Sequence, residues 1–542
     1  MTLGSVVRAA YVVRARSSAQ TTSGNFFDPG LLAKALGATS APLRRVPRLA
    51  RVTPPPRATV TGPDPAGRAT VAFEDRGGGV GTVFATLNDS DVSAWFASAC
   101  GSFDAPCTVD LSDLPTWTKG LDNRLRIAVS NQEGSVRSRG LVRTVTASGR
   151  PPGDAPDLWV LAVGTSDYAG SGLDLRYPAL DASRFALAMR LAGRAGFGPN
   201  RTHVRVLATS ELANVVGPPR RDTLEAAFEW LGQSDANDTV LVFMAGHGVA
   251  MTDPDQGVDD YFYLLPSTGS VSDLAKPDLR KLRAWSGDDL ADALARVPTR
   301  KRVVVLDTCA AGKLDQSLTL ERTLSSDAIR AHVRARHRTG AWVLAGSAAD
   351  QVSYEATRFG QRLLTYALLE GMQGPALDEG NQLWVSRWFA HAEAAVPQHA
   401  RDIGGVQRPV LRRGAGDFPL GEVPAERRPE IGVSSPKPVV VRSVVVAEGG
   451  RPDRLGVARA VDRALRARVD AGARFVMWDV DRAPGGAQLS GTYTPSGRRI
   501  TFAGVVSRGD DELAVSAESD TVDALGNTLA DQVVAWLTAS GP

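Results

Sequence analysis

The chain contains 542 residues, of which 62 are Lys or Arg, 59 are Asp or Glu and three are Cys. A chain of this length accommodates about three or four domains. The formal net charge of +3 is small, which argues against a dedicated nucleic-acid binder, because such a protein concentrates basic charge on one face. Three cysteines exclude a disulfide-rich scaffold and a zinc cluster built from cysteine.

The sequence contains no run of apolar residues long enough to predict a membrane-spanning helix. The mildly apolar N-terminus is interrupted by Arg8, Arg14 and Arg16, and it lacks the ordered regions of a secretory signal. Basic residues are nearly all Arg, which is typical of a GC-rich bacterial coding sequence. We therefore expect a bacterial, cytoplasmic protein without a membrane span.

The first 150 residues divide into two parts. Residues 1–56 are poorly patterned and end in a linker rich in Arg and Pro. Residues 57–150 contain short alternating runs separated by Gly and Asn turns, which predict a small β-sandwich. The phrase GLDNRLRIAVSNQEGSVRS resembles the last strands of immunoglobulin-like modules. Cys100 and Cys107 are either two ordinary loop residues or a local disulfide, and a disulfide would require an oxidising environment.

Residues 156–420 change to apolar runs that alternate with amphipathic stretches. Strands are predicted at 158–164, 203–208, 239–246, 302–307 and 341–346, and helices near 181–193, 223–231, 286–297, 362–370 and 386–393. Strands that are apolar on both faces and alternate with helices are typical of a mostly parallel α/β sheet covered on both sides.

A second Pro-rich linker, at 424–438, leads into residues 436–542. The order of strands and helices there predicts a small α+β domain, which is faintly similar in shape to the N-terminal domain of the Tol–Pal translocation protein. No catalytic constellation occurs in its sequence. We interpret it, with the β-sandwich, as a recognition or assembly module that could bind a regulatory protein partner.

Two of the predicted strands end in reactive residues: one in GHG (246–248) and the other in DTC (307–309). Sites in open parallel sheets form at the carboxyl ends of the strands, so His247 and Cys309 would face one crevice if these strands are adjacent. An imidazole can activate a thiol and then protonate a leaving amine. The flanking glycines would admit substrate backbone, and the N–H groups of Gly248 and Cys309 suit an oxyanion. The alternative is a buried cysteine beside an unrelated histidine.

VFMAGHG followed by VVVLDTCAAG resembles the catalytic motifs of caspase-like cysteine proteases, in particular bacterial caspase homologues and metacaspases. LWVLAVGTSDYAGSGLDLRYPALDASRFA, YFYLLP, LAGSAADQVSYE and LLTYALLEGM agree, and the resemblance covers about 156–412. It implies the caspase-like fold and an endopeptidase that acts on protein or peptide substrates without a required cofactor. It also implies a dyad of His247 and Cys309, with Cys309 as the nucleophile.

The resemblance extends to substrate specificity. Metacaspases have Asp two positions before the cysteine, as Asp307 is here, and a second Asp that matches Asp181. Two carboxylates in the specificity pocket would bind Arg or Lys before the scissile bond and repel Asp. Alternatively, Asp181 caps its helix and Asp307 orients its loop. Ala245 replaces the Ser that often precedes Gly-His in metacaspases, which removes one polar contact of that pocket.

Three further interpretations follow from the resemblance. Some metacaspases bind calcium through scattered aspartates, and carboxylate oxygens suit calcium. We assign no metal site, because aspartates at a helix start also complement the helix dipole. Residues 313–340 are either a self-cleavage loop or a solvated helix face. The chain could also be a non-catalytic scaffold, or a protease held inactive until a partner binds. The aspartates considered for calcium are Asp253, Asp255, Asp259, Asp260, Asp288 and Asp289. The arginines of the segment 313–340 are Arg330, Arg334, Arg336 and Arg338.

Overall fold

A computed structural model describes most of the chain from residue 53 onward. The described residues are 20–21, 53–151, 153, 155–253, 258–310, 340–346, 355–356, 358–403, 405–414 and 416–539. Within these ranges, no helix combines the length and the apolar character that crossing a membrane requires.

The first region consists of two antiparallel sheets around one hydrophobic core. The three-stranded sheet has the order β2-β3-β6 and the four-stranded sheet the order β5-β4-β7-β9, while β1 pairs with β8. Val71 and Ile127, from different sheets, are both fully buried in the shared core. The elements are β1 (Gln20–Thr21), β2 (Arg57–Thr61), β3 (Arg68–Glu74), β4 (Val83–Leu87), β5 (Ser90–Asp91), α1 (Ser93–Cys100), β6 (Cys107–Asp110), β7 (Asp122–Val129), β8 (Val136–Arg137) and β9 (Leu141–Thr146).

Cys100 and Cys107 form a disulfide in this region. It joins the last residue of α1 to the first residue of β6. Of the two alternatives for these cysteines, the structure therefore has the local disulfide. The immunoglobulin-like character of the two sheets stays a prediction.

The central region is built on an eight-stranded, mostly parallel sheet of order β11-β10-β12-β15-β16-β20, and β13 and β14 extend it from β12. The five predicted strands are all present in it. Only β20, β13 and β14 run antiparallel to their neighbours. The strands of this region are β10 (Leu158–Gly164), β11 (Thr202–Ala208), β12 (Thr239–Asp253), β13 (Val258–Leu264), β14 (Ala284–Ser286), β15 (Lys301–Ala310), β16 (Trp342–Ala345), β17 (Glu355–Ala356), β18 (Gln361–Arg362), β19 (Gln382–Trp384), β20 (Val410–Arg412) and β21 (Pro419–Glu422).

Helices cover both faces of this sheet, which gives the α/β fold. Alternate residues of β10 pack into opposite layers: Leu158 lies in the core with α2, α6 and α7, and Trp159 lies in the core with α3 and α5. Because both faces of the strand are buried, its sequence is a continuous apolar run. The helices are α2 (Pro178–Gly196), α3 (Arg221–Leu231), α4 (Pro277–Arg283), α5 (Gly287–Ala295), α6 (Leu363–Met372) and α7 (Val385–Arg401).

Strand β12 runs further than its sequence predicts. Its pairing with β10 ends at Ala245, but the strand continues to Asp253 as the partner of β13. The change of partner follows Gly246, whose φ of 154° favours glycine. Strand β15 likewise continues past its predicted end, to Ala310. His247 and Cys309 therefore lie within strands, whereas the sequence predicts them at the strand ends.

The last region is a mixed seven-stranded sheet of order β24-β23-β26-β22-β25, which β27 and β28 extend from β26. Both helices of the region share one core with this sheet. The elements follow the predicted order, and the assignment as an accessory domain stays a prediction. They are β22 (Val439–Val440), β23 (Val444–Ala447), β24 (Arg451–Pro452), α8 (Val457–Asp470), β25 (Val476–Met477), β26 (Gly486–Ser496), β27 (Arg499–Arg508), β28 (Asp511–Ser519) and α9 (Val522–Ala539).

Candidate active site

The two residues predicted to react lie side by side on neighbouring parallel strands. In the register of β12 and β15, His247 is the partner of Cys309, and Gly248 is the partner of Ala310. Adjacent strands of a sheet are about 4.8 Å apart. The sheet thus brings the two backbones together at its carboxyl edge; the side chain of Cys309 lies outside the described part of the chain.

The imidazole of His247 is held by a backbone carbonyl from the loop after β10. Its Nε2 lies 2.8 Å from the carbonyl oxygen of Leu173. A carbonyl can only accept a hydrogen bond, so Nε2 carries the proton and Nδ1 has the lone pair when the ring is neutral. Among the described atoms, Nδ1 has no hydrogen-bond partner. The nitrogen that can act as a base is therefore the one left open.

The same loop, residues 165–177, also positions the backbone of His247. The N–H of His247 donates to Oη of Tyr168 over 3.0 Å, and the two ring centroids are 5.2 Å apart. The N–H of Tyr168 donates in turn to Asp174 over 2.9 Å. One loop therefore sets both the place and the tautomer of the histidine.

Burial changes the protonation of His247. The residue is 5% exposed. Its pKa is lowered to about 4: loss of water is the largest cause, the bond to the Leu173 carbonyl raises the pKa, and the positive charge of Arg362 lowers it. The ring is consequently neutral at pH 7, as a general base must be.

The two glycines beside His247 make room for tyrosine side chains. A Cβ on Gly246 would lie 3.1 Å from Oη of both Tyr168 and Tyr263, and one on Gly248 would lie 2.6 Å from Oη of Tyr261. Tyr261 donates a hydrogen bond of 2.6 Å to Thr308, the residue before Cys309. The absence of side chains at these two positions thus lets the tyrosines pack against the strand, and the approach of substrate backbone to the glycines stays a prediction.

Asp181 and Asp307, here called the carboxylate cluster, are fully buried and bind the same residue, Arg362, which is fully buried as well. The backbone N–H of Arg362 donates to Oδ2 of Asp181 over 3.0 Å, and its Nε donates to Oδ1 of Asp307 over 3.2 Å. Thr365 donates to Oδ2 of Asp307 through its N–H (3.0 Å) and its hydroxyl (2.6 Å). The structure thus brings the two predicted aspartates together.

Asp181 does not cap its helix. No side chain caps the N-terminus of α2, and the carboxylate of Asp181 is directed to the backbone of Arg362 instead. Burial raises the pKa of Asp181 well above its usual value, the hydrogen bond from Arg362 lowers it, and the charge of Asp307 raises it again. Burying this carboxyl away from water costs free energy that a solvent-exposed helix cap would not cost.

The aspartates considered for calcium fall into two groups. Asp288 and Asp289 lie in the first turn of α5, so the alternative of a helix start applies to both. Asp289 also accepts hydrogen bonds from the Ser286 N–H (2.9 Å) and from Arg221 (3.1 Å). Asp255, and the side chains of Asp253, Asp259 and Asp260, lie outside the described residues, as do residues 311–339 with their arginines. In the described part of the chain, no group of three His, Cys, Asp or Glu side chains could hold a metal ion.

Sequence reasoning missed three participants: Leu173, Tyr168 and Arg362. A backbone carbonyl such as that of Leu173 has no side-chain signature, and Tyr168 has no distinctive spacing. The sequence places Arg362 only at the start of a predicted helix. The sequence feature that could have identified Arg362 is a basic residue directly before an apolar helix. A basic side chain buried at such a position needs a buried anion as its partner.

Comparison with known proteins bears on the central region. The family model for the caspase domain matches residues 158–414, from the first residue of β10 to just past β20. No curated protein matches the chain. Among solved structures, the N-terminal domain of Thermus thermophilus Protein Y is similar to part of this chain. The match covers 19% of this chain and 99% of the other, with 13% sequence identity and a TM-score of 0.14. By the family match, residues 158–414, which hold both His247 and Cys309, form a caspase-like domain.

Proposed function

We propose that this chain is a cysteine endopeptidase of caspase type, with His247 and Cys309 as its catalytic dyad. The observation that carries the proposal is the register of β12 and β15, which makes the two residues neighbours. The bond from Nε2 of His247 to Leu173 supports it, because that bond leaves Nδ1 as the base.

The proposed reaction begins when Nδ1 of neutral His247 takes the proton of the Cys309 thiol. The thiolate attacks the carbonyl carbon of the scissile peptide bond. The N–H groups of Gly248 and Cys309 are proposed to stabilise the oxyanion of the tetrahedral intermediate. The imidazolium then gives its proton to the leaving amine, and water activated by the same imidazole hydrolyses the acyl-enzyme.

The proposed substrates are proteins or peptides with Arg or Lys before the scissile bond. The carboxylate cluster of Asp181 and Asp307 supports this preference, since buried carboxylates attract a cation and repel an acidic side chain. The guanidinium of Arg362 bonds to Asp307, so the cluster is compatible with an arginine side chain. No cofactor is required in this scheme, and a calcium requirement stays open.

Regulation is the other part of the proposal. We propose that the flanking regions, or self-cleavage within 313–340, control the protease. Of that segment, residues 313–339 lie outside the described residues. Mass spectrometry of the purified protein would identify any cut and the residue before it.

The dyad is tested with Cys309→Ala and His247→Ala on fluorogenic peptides with Arg, Lys or Asp before the cleaved bond. We expect the wild type to cleave Arg and Lys peptides faster than Asp peptides, and each variant to lose at least about 1,000-fold in kcat/KM. The matched control is Cys100→Ser with Cys107→Ser, which removes the other two cysteines and should retain activity.

Reactivity of the thiol gives a second readout that does not need the specificity pocket. Iodoacetamide should modify Cys309 faster in the wild type than in His247→Ala, because the neutral imidazole can accept the thiol proton as the sulfur reacts. No turnover on any peptide together with equal alkylation rates would support the non-catalytic scaffold instead.

A further inference from the structure

The carboxylate cluster is already occupied by a side chain of the same chain. Arg362 is the second residue of β18 and directly precedes α6. Its side chain is fully buried between elements that are distant in sequence, with Asp307 of β15 as its ion-pair partner at 3.2 Å. The cation that binds this acidic site is therefore the guanidinium of Arg362, a residue of the same chain.

Most acceptor positions that a substrate guanidinium would need are taken. Oδ1 of Asp307 accepts from Arg362, Oδ2 of Asp307 accepts twice from Thr365, and Oδ2 of Asp181 accepts from the Arg362 N–H. Among the described atoms, Oδ1 of Asp181 is buried without a hydrogen-bond partner. A second guanidinium would find one open oxygen and a like charge beside it, which is unfavourable.

The occupied site lies next to the dyad. Asp307 precedes Cys309 by two positions on β15, where its register partner on β12 is Ala245. The charge of Arg362 is close enough to act on His247. Replacing a buried ion pair by apolar residues is often neutral or stabilising, so fold stability alone does not account for an arginine at this position.

We propose that Arg362 is an intramolecular occupant of the specificity pocket, and that it holds the protease latent until β18 moves and a substrate Arg or Lys takes its place. The inference rests on the proposed function of the dyad and deepens it. It names both the residue that blocks the pocket and the side chain of the substrate that competes with it.

The segment that carries Arg362 is fastened by the linker to the C-terminal region. The Ser434 N–H donates to Gln361 over 3.0 Å, and the Lys437 N–H donates to the carbonyl of Arg358 over 2.7 Å. Arg184 on α2 bonds to the hydroxyl of Ser434 over 2.8 Å. Displacement of this linker, by a partner of the C-terminal region, would release β18 and is the proposed route of activation.

The first test compares wild type, Arg362→Ala and Arg362→Lys on Arg and Asp peptides. Removing the occupant should raise kcat/KM on Arg peptides at least about tenfold, mainly through a lower KM, because the gain is in substrate binding. Activity on Asp peptides should not rise. Arg362→Lys keeps a cation for Asp307, so its kcat/KM on Arg peptides should lie between the values of wild type and Arg362→Ala. Folded variants with no gain on Arg peptides would overturn the inference.

The second test needs no turnover. In the Cys309→Ala background, agmatine should raise the melting temperature of Arg362→Ala by filling the vacated site, and should leave Arg362 protein unchanged. Arg302→Ala is the matched control: Arg302 is 2% exposed, but it bonds to the neutral oxygens of Ser90 and Val297. An equal shift in both variants, or in neither, would contradict the occupancy of the pocket.

The two proposals fail separately. Cleavage of Arg peptides by the wild type, with no gain from Arg362→Ala and no agmatine effect, contradicts the occupant and leaves the dyad standing. Stabilisation of Arg362→Ala by agmatine, with no turnover in any variant and no enhanced alkylation of Cys309, supports the occupant of the site and contradicts the peptidase.

Discussion

The imidazole of His247 is surrounded by protein rather than by water, and this determines when it is charged. Burial lowers its pKa to about 4, whereas in an unfolded chain the value is about 6.5. Between these two values the unfolded state binds more protons than the folded state. The free energy of unfolding therefore falls as the pH falls through this window and is recovered above it.

We expect wild type to lose about 2.5 kcal/mol more stability than His247→Gln between pH 7 and pH 4.5. Glutamine does not titrate, and its amide can still donate to the Leu173 carbonyl, so the rest of the pH dependence is shared by both proteins. Urea unfolding of the two proteins at each pH measures the difference. Parallel loss of stability in both proteins would contradict a buried neutral imidazole.

Arg362 illustrates at the residue scale what the sequence could not disclose. Asp181 and Asp307 were predictable as a pair, because each matches a family motif. The third member of the cluster lies on a strand far along the chain and is joined to them only by tertiary hydrogen bonds. A residue that acts through such contacts has no periodicity or spacing from which to predict it.

At the scale of elements, three paired strands position the candidate dyad. They are β12 and β15, which carry His247 and Cys309, and β13, which pairs with the end of β12. Gly248 belongs to this unit because Tyr261 of β13 lies against its backbone. A methyl group there would come within 2.5 Å of the Tyr261 ring, closer than carbon atoms approach without displacement. Tyr261 also bonds to Thr308, so its displacement would be transmitted to the residue before Cys309.

We predict that Gly248→Ala lowers kcat/KM at least about tenfold, since small misplacements of reacting groups are costly, while the protein stays folded. Peptidase assays and the alkylation rate of Cys309 measure the effect. Gly217→Ala is the control, because nothing lies within 4 Å of a Cβ at that position. Equal activity of both variants would show that Tyr261 does not support the site.

The central strands were predictable for a simple physical reason. A strand buried on both faces is apolar at every position, and LWVLAVG accordingly forms β10 over the full predicted range. The ends of β12 and β15 were not predictable, since they depend on whether another strand covers them. The addition of β13 extends β12 through His247 to Asp253, and polar residues then lie within a strand.

At the scale of the whole molecule, both flanking regions contact elements that carry the site. The linker to the C-terminal region holds β18, as described above. The two-sheet region holds the opposite end of β15, where Arg302 bonds to Ser90 over 2.7 Å. The disulfide of Cys100 and Cys107 in that region is typical of oxidising compartments, and the cytoplasmic location stays a prediction.

Arg300 provides the most direct test of this docking. Its guanidinium bonds to the Asp122 carbonyl (2.7 Å), the Asn123 side chain (3.1 Å) and the Thr118 hydroxyl (3.2 Å), so one side chain from the caspase-like domain satisfies three acceptors of the two-sheet region. A hydrogen bond from a charged donor contributes about 1.5–3 kcal/mol to the stability of the contact that it joins. Their loss should loosen the contact between the two regions without unfolding either one.

We therefore expect Arg300→Ala to be cut faster than wild type by a low concentration of Asp-N endoproteinase, which can cut before Asp154 and Asp157, with two fragments that each resist further digestion. Arg296→Ala is the matched control, because Arg296 is an exposed arginine four positions earlier. Mass spectrometry identifies the fragments, and the rate of loss of full-length chain gives the effect. If both variants are cut at the wild-type rate, Arg300 does not hold the two regions together.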